Sequence, residues 1–336
     1  VRHPAAVQTS LAALAGLSLL LTACGPESGA STASSEASSS AIDVVASTNV
    51  YGDIVRSIGG DKVNVTAIIS QTSQDPHSYE ANAQDRLAVS KADLVVDNGG
   101  GYDEFLHKLA DDSNIPEDRV LTAVEVSGLA HEEEAAEPSE AAAQSPAASE
   151  PAEEKHEDHG EFNEHVWYSL DAMGKLADSV AAKLGEIEPA SATEFTSNAT
   201  SFRAELDGLA GKLAALRSTD AGAPVAVTEP VPMYLLEAAG LENRTPEDYT
   251  AAIEEGSDVP PAVLKAATDL AGSKDVRFLA YNQQTEGPQT EALKKAAEAA
   301  GVPVIDFSET LPEGKTYLQW MTDNVENVSK VLEKNS

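Results

Sequence analysis

Two histidines and two carboxylates, His77, His165, Glu229 and Asp306, are the residues of this chain best suited to hold a divalent metal ion. Neutral imidazole nitrogens and carboxylate oxygens together suit borderline ions such as zinc or manganese, whereas calcium calls for more oxygens. Elimination narrows the histidines. Of the seven in the chain, His3 lies in an apolar leader, and His131, His156 and His159 lie in an acidic stretch. His107, in Glu104-Phe105-Leu106-His107-Lys108, suits a solvated helix position, which leaves His77 and His165 for a structured site. Singly, each of the four has a plainer reading: a loop histidine in water, or a carboxylate capping a turn. Spacing alone leaves both readings standing.

The elements that must position these residues alternate. Ile42–Ser47 is β-rich, Asn49–Ile58 has helical spacing closed by Gly59-Gly60, and Val63, Val65, Ala67 and Ile69 form one face of a second strand. A helix is expected over Asn82–Ala92 with Leu87 facing inward, then strands at Asp93–Asp97 and Val120–Val124. From Phe195 to Leu216 apolar residues recur at steps of three and four, which predicts a helix over 190–217 about 40 Å long. Beyond it a second pattern begins, with strands at Val225–Thr228, Val276–Tyr281 and Val302–Asp306. Helices are expected at Met233–Ala239, Pro261–Ala271, Pro288–Ala300 and Thr316–Lys334. Strands alternating with helices imply parallel sheets flanked by helices. The fold class is therefore α/β, with two lobes joined by one long linking helix. In such sheets ligands gather beyond the carboxyl ends of strands, where Asn49, His77, Glu229, Asn282, Gln283 and Asp306 are expected.

Composition limits the partners. The 336 residues carry 56 Asp+Glu against 22 Lys+Arg, a formal charge of −34. Phosphate backbones are repelled by such a surface, so nucleic acid is excluded as a partner. One cysteine excludes an intramolecular disulfide framework and any cysteine-rich zinc module. That cysteine, Cys24, follows a short basic start and the apolar run Leu11–Leu21, the pattern of a secretory signal. Leu21-Thr22-Ala23-Cys24 resembles the lipobox of bacterial lipoproteins, in which the cysteine becomes the lipidated first residue of the mature chain. The expected organisation is a signal peptide over 1–23 and a lipid-anchored tether over 24–41. The first lobe spans 42–189, the linking helix 190–218 and the second lobe 219–336. Residues 131–161, with eleven acidic residues, three His and one Lys, form an insertion too polar to build a core. It is either a solubilising loop or an auxiliary metal-capturing one through His131, His156 and His159.

The local strings add a resemblance. Asp75-Pro76-His77-Ser78-Tyr79-Glu80 resembles the Pro-His-x-Tyr-Glu signature of the solute-binding proteins of zinc and manganese ABC importers, and His165-Val166-Trp167 resembles their His-x-Trp. The likeness covers nearly all of the chain after Cys24. It implies that each lobe gives two ligands to one buried ion. The third ligand maps onto Glu229, in Thr228-Glu229-Pro230, and the fourth, an Asp after the last strand, onto Asp306. Glutamate at the third position points to manganese, and the two histidines point to zinc. The chain departs from the family in having Glu80-Ala81 where Glu-Pro is usual, and in an insertion poor in histidine. The resemblance further implies a zinc or manganese cargo, an ABC-type permease as partner and a monomer. It also implies attachment to the outer face of the bacterial cytoplasmic membrane through Cys24. The alternatives are a metal-dependent surface adhesin and a metallohydrolase. No Gly-x-Ser-x-Gly or His-Glu-x-x-His string supports the latter. Acid is expected to release the ion as the imidazoles protonate near pH ~6.5.

Overall fold

The computed structural model describes residues 41–71, 74–130 and 162–334. Cys24, His131, His156 and His159, with the leader, tether and acidic stretch, lie outside the described residues. In the first lobe the order is β1 (Ile42–Thr48), α1 (Asn49–Gly59), β2 (Val63–Ile69), α2 (Ala83–Val89), β3 (Leu94–Asp97), α3 (Glu104–Asp112), β4 (Val120–Thr122) and α4 (Ala123–Ser127). All pairings are parallel, in the order β2-β1-β3-β4. Ala46 stands level with Ala67 on one side and Val96 on the other, so the strands end at the same edge. β3 is buried along its whole length, as a central parallel strand covered on both faces must be.

Two helices follow, α5 (Leu170–Ile187) and α6 (Ala192–Asp220). The second lobe is β5 (Pro224–Val227), α7 (Met233–Ala238), β6 (Glu242–Asn243), α8 (Glu247–Glu254), α9 (Pro261–Ala271), β7 (Leu279–Asn282), α10 (Pro288–Ala300), β8 (Val304–Phe307) and α11 (Tyr317–Lys334). Its sheet, also all parallel, has the order β6-β5-β7-β8. In each lobe the first strand has neighbours whose connections leave in opposite directions. That arrangement opens a crevice at the carboxyl edge.

Several local expectations are corrected. Residues 123–124 open α4 and do not extend β4. Leu87 is 55% exposed, and Val89 carries the inward face of the seven-residue α2. The short β6 and α8 have too few apolar residues to announce themselves in the sequence.

The long helix α6 has 29 residues and a length of about 43 Å. Phe195, Ala199, Phe202, Leu206, Leu209 and Leu213 are buried along it. α11 returns across the molecule to pack on this helix, with Phe202 stacked on Tyr317 at 5.9 Å between ring centroids. A single apolar cluster runs through Ile54, Phe202, Val227 and Trp320. The lobes therefore share a core in addition to being linked, and the linker behaves as a strut. Polar contacts add to this: Asn49 Nδ2 donates to the Leu311 carbonyl at 2.9 Å, and the Tyr317 N–H donates to Asp53 at 2.7 Å. Among the described residues no helix is long and apolar enough to cross a membrane.

Gly208 and Gly211 lie on the exposed side of α6 with nothing within 4 Å of an added Cβ. Each Gly→Ala change is expected to stabilise the fold by about 1 kcal/mol, because alanine loses less backbone entropy in a helix. Metal affinity should not change. Urea denaturation and calorimetry on the double variant test this, and an altered affinity would show that the helix bends during capture.

Candidate metal centre

His77 lies in the loop that leaves β2. Asp75 shapes that loop by accepting from the His77 N–H at 3.0 Å and from the Ser78 hydroxyl at 2.7 Å, a local turn that competes with regular structure. Tyr79 fastens its far end by donating to Asp85 at 2.9 Å. Asp85 in turn belongs to the capping box that starts α2 at Asn82. The loop after β3 is formed by Gly99, Gly100 and Gly101, all with positive φ. An added Cβ on Gly99 would lie 2.4 Å from Thr122 Cγ2, so only glycine fits this turn, which brings Tyr102 to the cleft. The Tyr102 ring stands edge-on to His77 at 4.9 Å and lies 6.0 Å from His165.

His165 is 2% exposed and precedes the single helical turn Val166–Tyr168. Asn163 fixes its tautomer. The Asn163 amide nitrogen donates to the Pro230 carbonyl at 3.1 Å, so its oxygen is the atom facing His165, where it accepts from the backbone N–H at 3.1 Å. The same oxygen is 2.7 Å from His165 Nδ1, which must therefore carry the proton and leave Nε2 as a free donor of electrons.

The second lobe presents carboxylates. Glu229 follows Thr228 just beyond the end of β5, and Asn282 at the end of β7 holds two of them, donating to Glu229 at 2.6 Å and to Glu309 at 2.7 Å. Thr285 also donates to Glu229. Glu309 takes a further hydrogen bond across the cleft from the Tyr102 hydroxyl at 3.2 Å. Gln284 fixes the backbone beneath it, accepting from the N–H groups of Glu309 and Thr310 at 2.7 and 2.8 Å. His77, His165 and Glu309 each offer a ligand atom, and these atoms lie within 4.8 Å of one another. Glu229 lines the same cavity of about 440 Å³, set slightly back on its Asn282 and Thr285 contacts.

The structure thus brings His77, His165 and Glu229 to one cleft, with Glu309 beside them, and places Asp306 outside it. Asp306 is inside β8, where side chains alternate between faces, and it points away from its buried neighbours Ile305 and Phe307. Its carboxylate is 47% exposed and faces Lys294 at 3.8 Å. Glu309, two residues beyond the strand, takes the cleft position, and nothing in apolar periodicity marks where β8 ends. His107 is largely exposed as expected, with Nδ1 3.5 Å from Asp97.

Burial sets the electrostatics. It pushes the Glu309 carboxyl up to about 8, with the charge of Glu229 adding to the effect. Glu254 is pushed up to about 9 by burial and then by Glu164, Glu229 and Glu309. Glu164 is pushed up to about 7 by burial, opposed by a backbone N–H, with Glu229 adding a smaller rise. Glu229 is also raised, chiefly by burial. The His165 imidazole is held well below its usual range by burial and then by His77, so it is neutral near pH 7. Crowded carboxylates beside a neutral imidazole favour a divalent cation.

Two parallel-sheet lobes with such donors at their facing strand ends define a two-lobe binding protein. The chain belongs to the family described as zinc-uptake complex component A, periplasmic, whose model matches residues 44–331. It is 23% identical over 317 residues to the manganese ABC transporter substrate-binding lipoprotein scaA of Streptococcus gordonii, covering 90% of this chain and 92% of that one. Among solved structures it is similar to the SBP FpvC from Pseudomonas aeruginosa in complex with Mn2+. That match has 22% identity and a TM-score of 0.64, and covers 88% of this chain and 100% of that one. The periplasmic zinc binding protein TroA from Treponema pallidum matches at 20% identity and a TM-score of 0.63, covering 86% and 98%. At these identities the structures show the shared fold.

Proposed function

We propose that this chain captures zinc or manganese outside the cytoplasm and delivers it to an ABC-type membrane permease, anchored through a lipid on Cys24. The ion is cargo, held by His77, His165, Glu229 and Glu309. The observation that carries this reading is the convergence of His77, His165 and Glu309 from two lobes onto one point. Family membership and the manganese importer lipoprotein among the relatives support it. A metallohydrolase keeps an open metal position for water beside a free general base. Here the carboxylates crowd the same point, an arrangement that suits capture.

The test is uptake of radiolabelled manganese and zinc at limiting concentration by cells lacking this protein, complemented with wild type or with His165→Ala. Loss of uptake in the deletion, restored by wild type alone, is the expected result. Undiminished uptake of both metals in the deletion strain would refute the reading.

A further inference from the structure

Glu164 has no part in the four-residue site, yet it is 8% exposed and its Oε1 lies 3.8 Å from His77 Nε2. Its backbone is pinned: the Glu164 carbonyl accepts from Asn98 Nδ2 at 3.0 Å and from the Val166 N–H at 2.7 Å. Gly100 packs against the base of the side chain, where an added Cβ would come within 3.3 Å of Glu164 Cβ. One backbone N–H donates to its carboxylate. A buried carboxylate short of donors is costly. A ligand atom of Glu164 also lies within 4.8 Å of ligand atoms on His165 and Glu254, whose Oε1 is itself buried without a hydrogen-bond partner.

We propose that Glu164 is a fifth donor to the ion and that its oxygen biases the site toward manganese over zinc. This rests on the proposed capture function and names the cargo more closely. Two donors bound to one ion at about 2.1 Å stand roughly 3 to 3.5 Å apart, so a small shift of Glu164 toward His77 completes the pair. With Glu229 and Glu309 it makes three carboxylates beside two imidazoles. Zinc is satisfied by four donors in a tetrahedron, whereas manganese takes up to six, mostly oxygens. A fifth, anionic oxygen therefore adds more to the binding of manganese than to that of zinc. Glu254, with Oε1 4.0 Å from His165 Nδ1, lies toward the protonated nitrogen of that ring and does not compete for the same position.

Glu164→Gln keeps the side chain's shape and removes its charge. In competition titrations with Mn2+ and Zn2+, the variant is expected to lose manganese affinity by about tenfold or more and zinc affinity by less than about threefold. X-ray absorption at the manganese edge should show one oxygen donor fewer in the variant than in wild type, and its circular dichroism should match wild type. Equal losses for both ions would overturn the proposal, because a distant charge would act on them alike. Unchanged affinities would also overturn it. Both results would leave the capture function standing, while a wild-type protein that binds neither ion would overturn both.

Discussion

Replacing Glu309 with glutamine is expected to weaken binding of Mn2+ and Zn2+ by roughly 100-fold, while Asp306→Asn changes it by less than about twofold. The contrast follows from strand geometry. Glu309 is 3% exposed, aligned by Asn282 and Tyr102, and lies among His77 and His165. Asp306 is paired with Lys294 on the opposite face of β8. Glutamine preserves the size of Glu309 and its capacity to accept from Asn282, so the loss would report the missing charge and not a collapsed loop. Competition calorimetry with a chelator measures both variants, and equal effects would mean that the last strand slides in register when the ion binds.

The second large effect is pH. Glu309, Glu164 and Glu254, pushed up to about 8, 7 and 9, hold protons in the empty protein near neutrality, whereas His165 does not. An ion binds only the ionised carboxylates, so its binding must expel protons. Affinity is expected to rise about tenfold or more per pH unit from pH 6 to 8, continuing past the imidazole range near ~6.5. Carboxyls raised above the ordinary value of 4.5 favour the empty fold below that value, and this contribution is lost as pH climbs through about 8. The ion offsets that loss, so its stabilisation of the fold should grow from pH 5 to 8. Calorimetry in two buffers of different ionisation enthalpy counts the protons released. A profile that levels off just above pH 6.5, with no proton release at pH 7.5, would show that the histidines control binding.

Much of this arrangement is legible in the sequence because it is local. Strand ends follow from apolar runs and turn residues, which place His77 and Glu229, elimination leaves His165, and the alternation of strands and helices implies parallel sheets. Asp306 shows where such reading fails. Set between Ile305 and Phe307, it must face away from them, but the run alone does not reveal whether the strand ends before or after Phe307. Glu309 then depends on a loop shaped by Gln284, 25 residues away. Glu164 and Glu254 gain meaning only through contacts made in three dimensions. The shared core is equally invisible, because the apolar faces of α6 and α11 do not name their partners. Asn282, by contrast, is legible as a polar strand end, and the structure shows why it belongs there: one amide donates to two carboxylates.

Anomalous diffraction from a manganese-loaded crystal tests the central claim most directly. The account predicts one strong peak within roughly 2.0 to 2.4 Å of donor atoms on His77, His165 and Glu309, with Glu229 swung onto the ion from its contacts with Asn282 and Thr285. A peak seated beside Asp306, or the absence of any ion from the cleft between the two sheets, would contradict it.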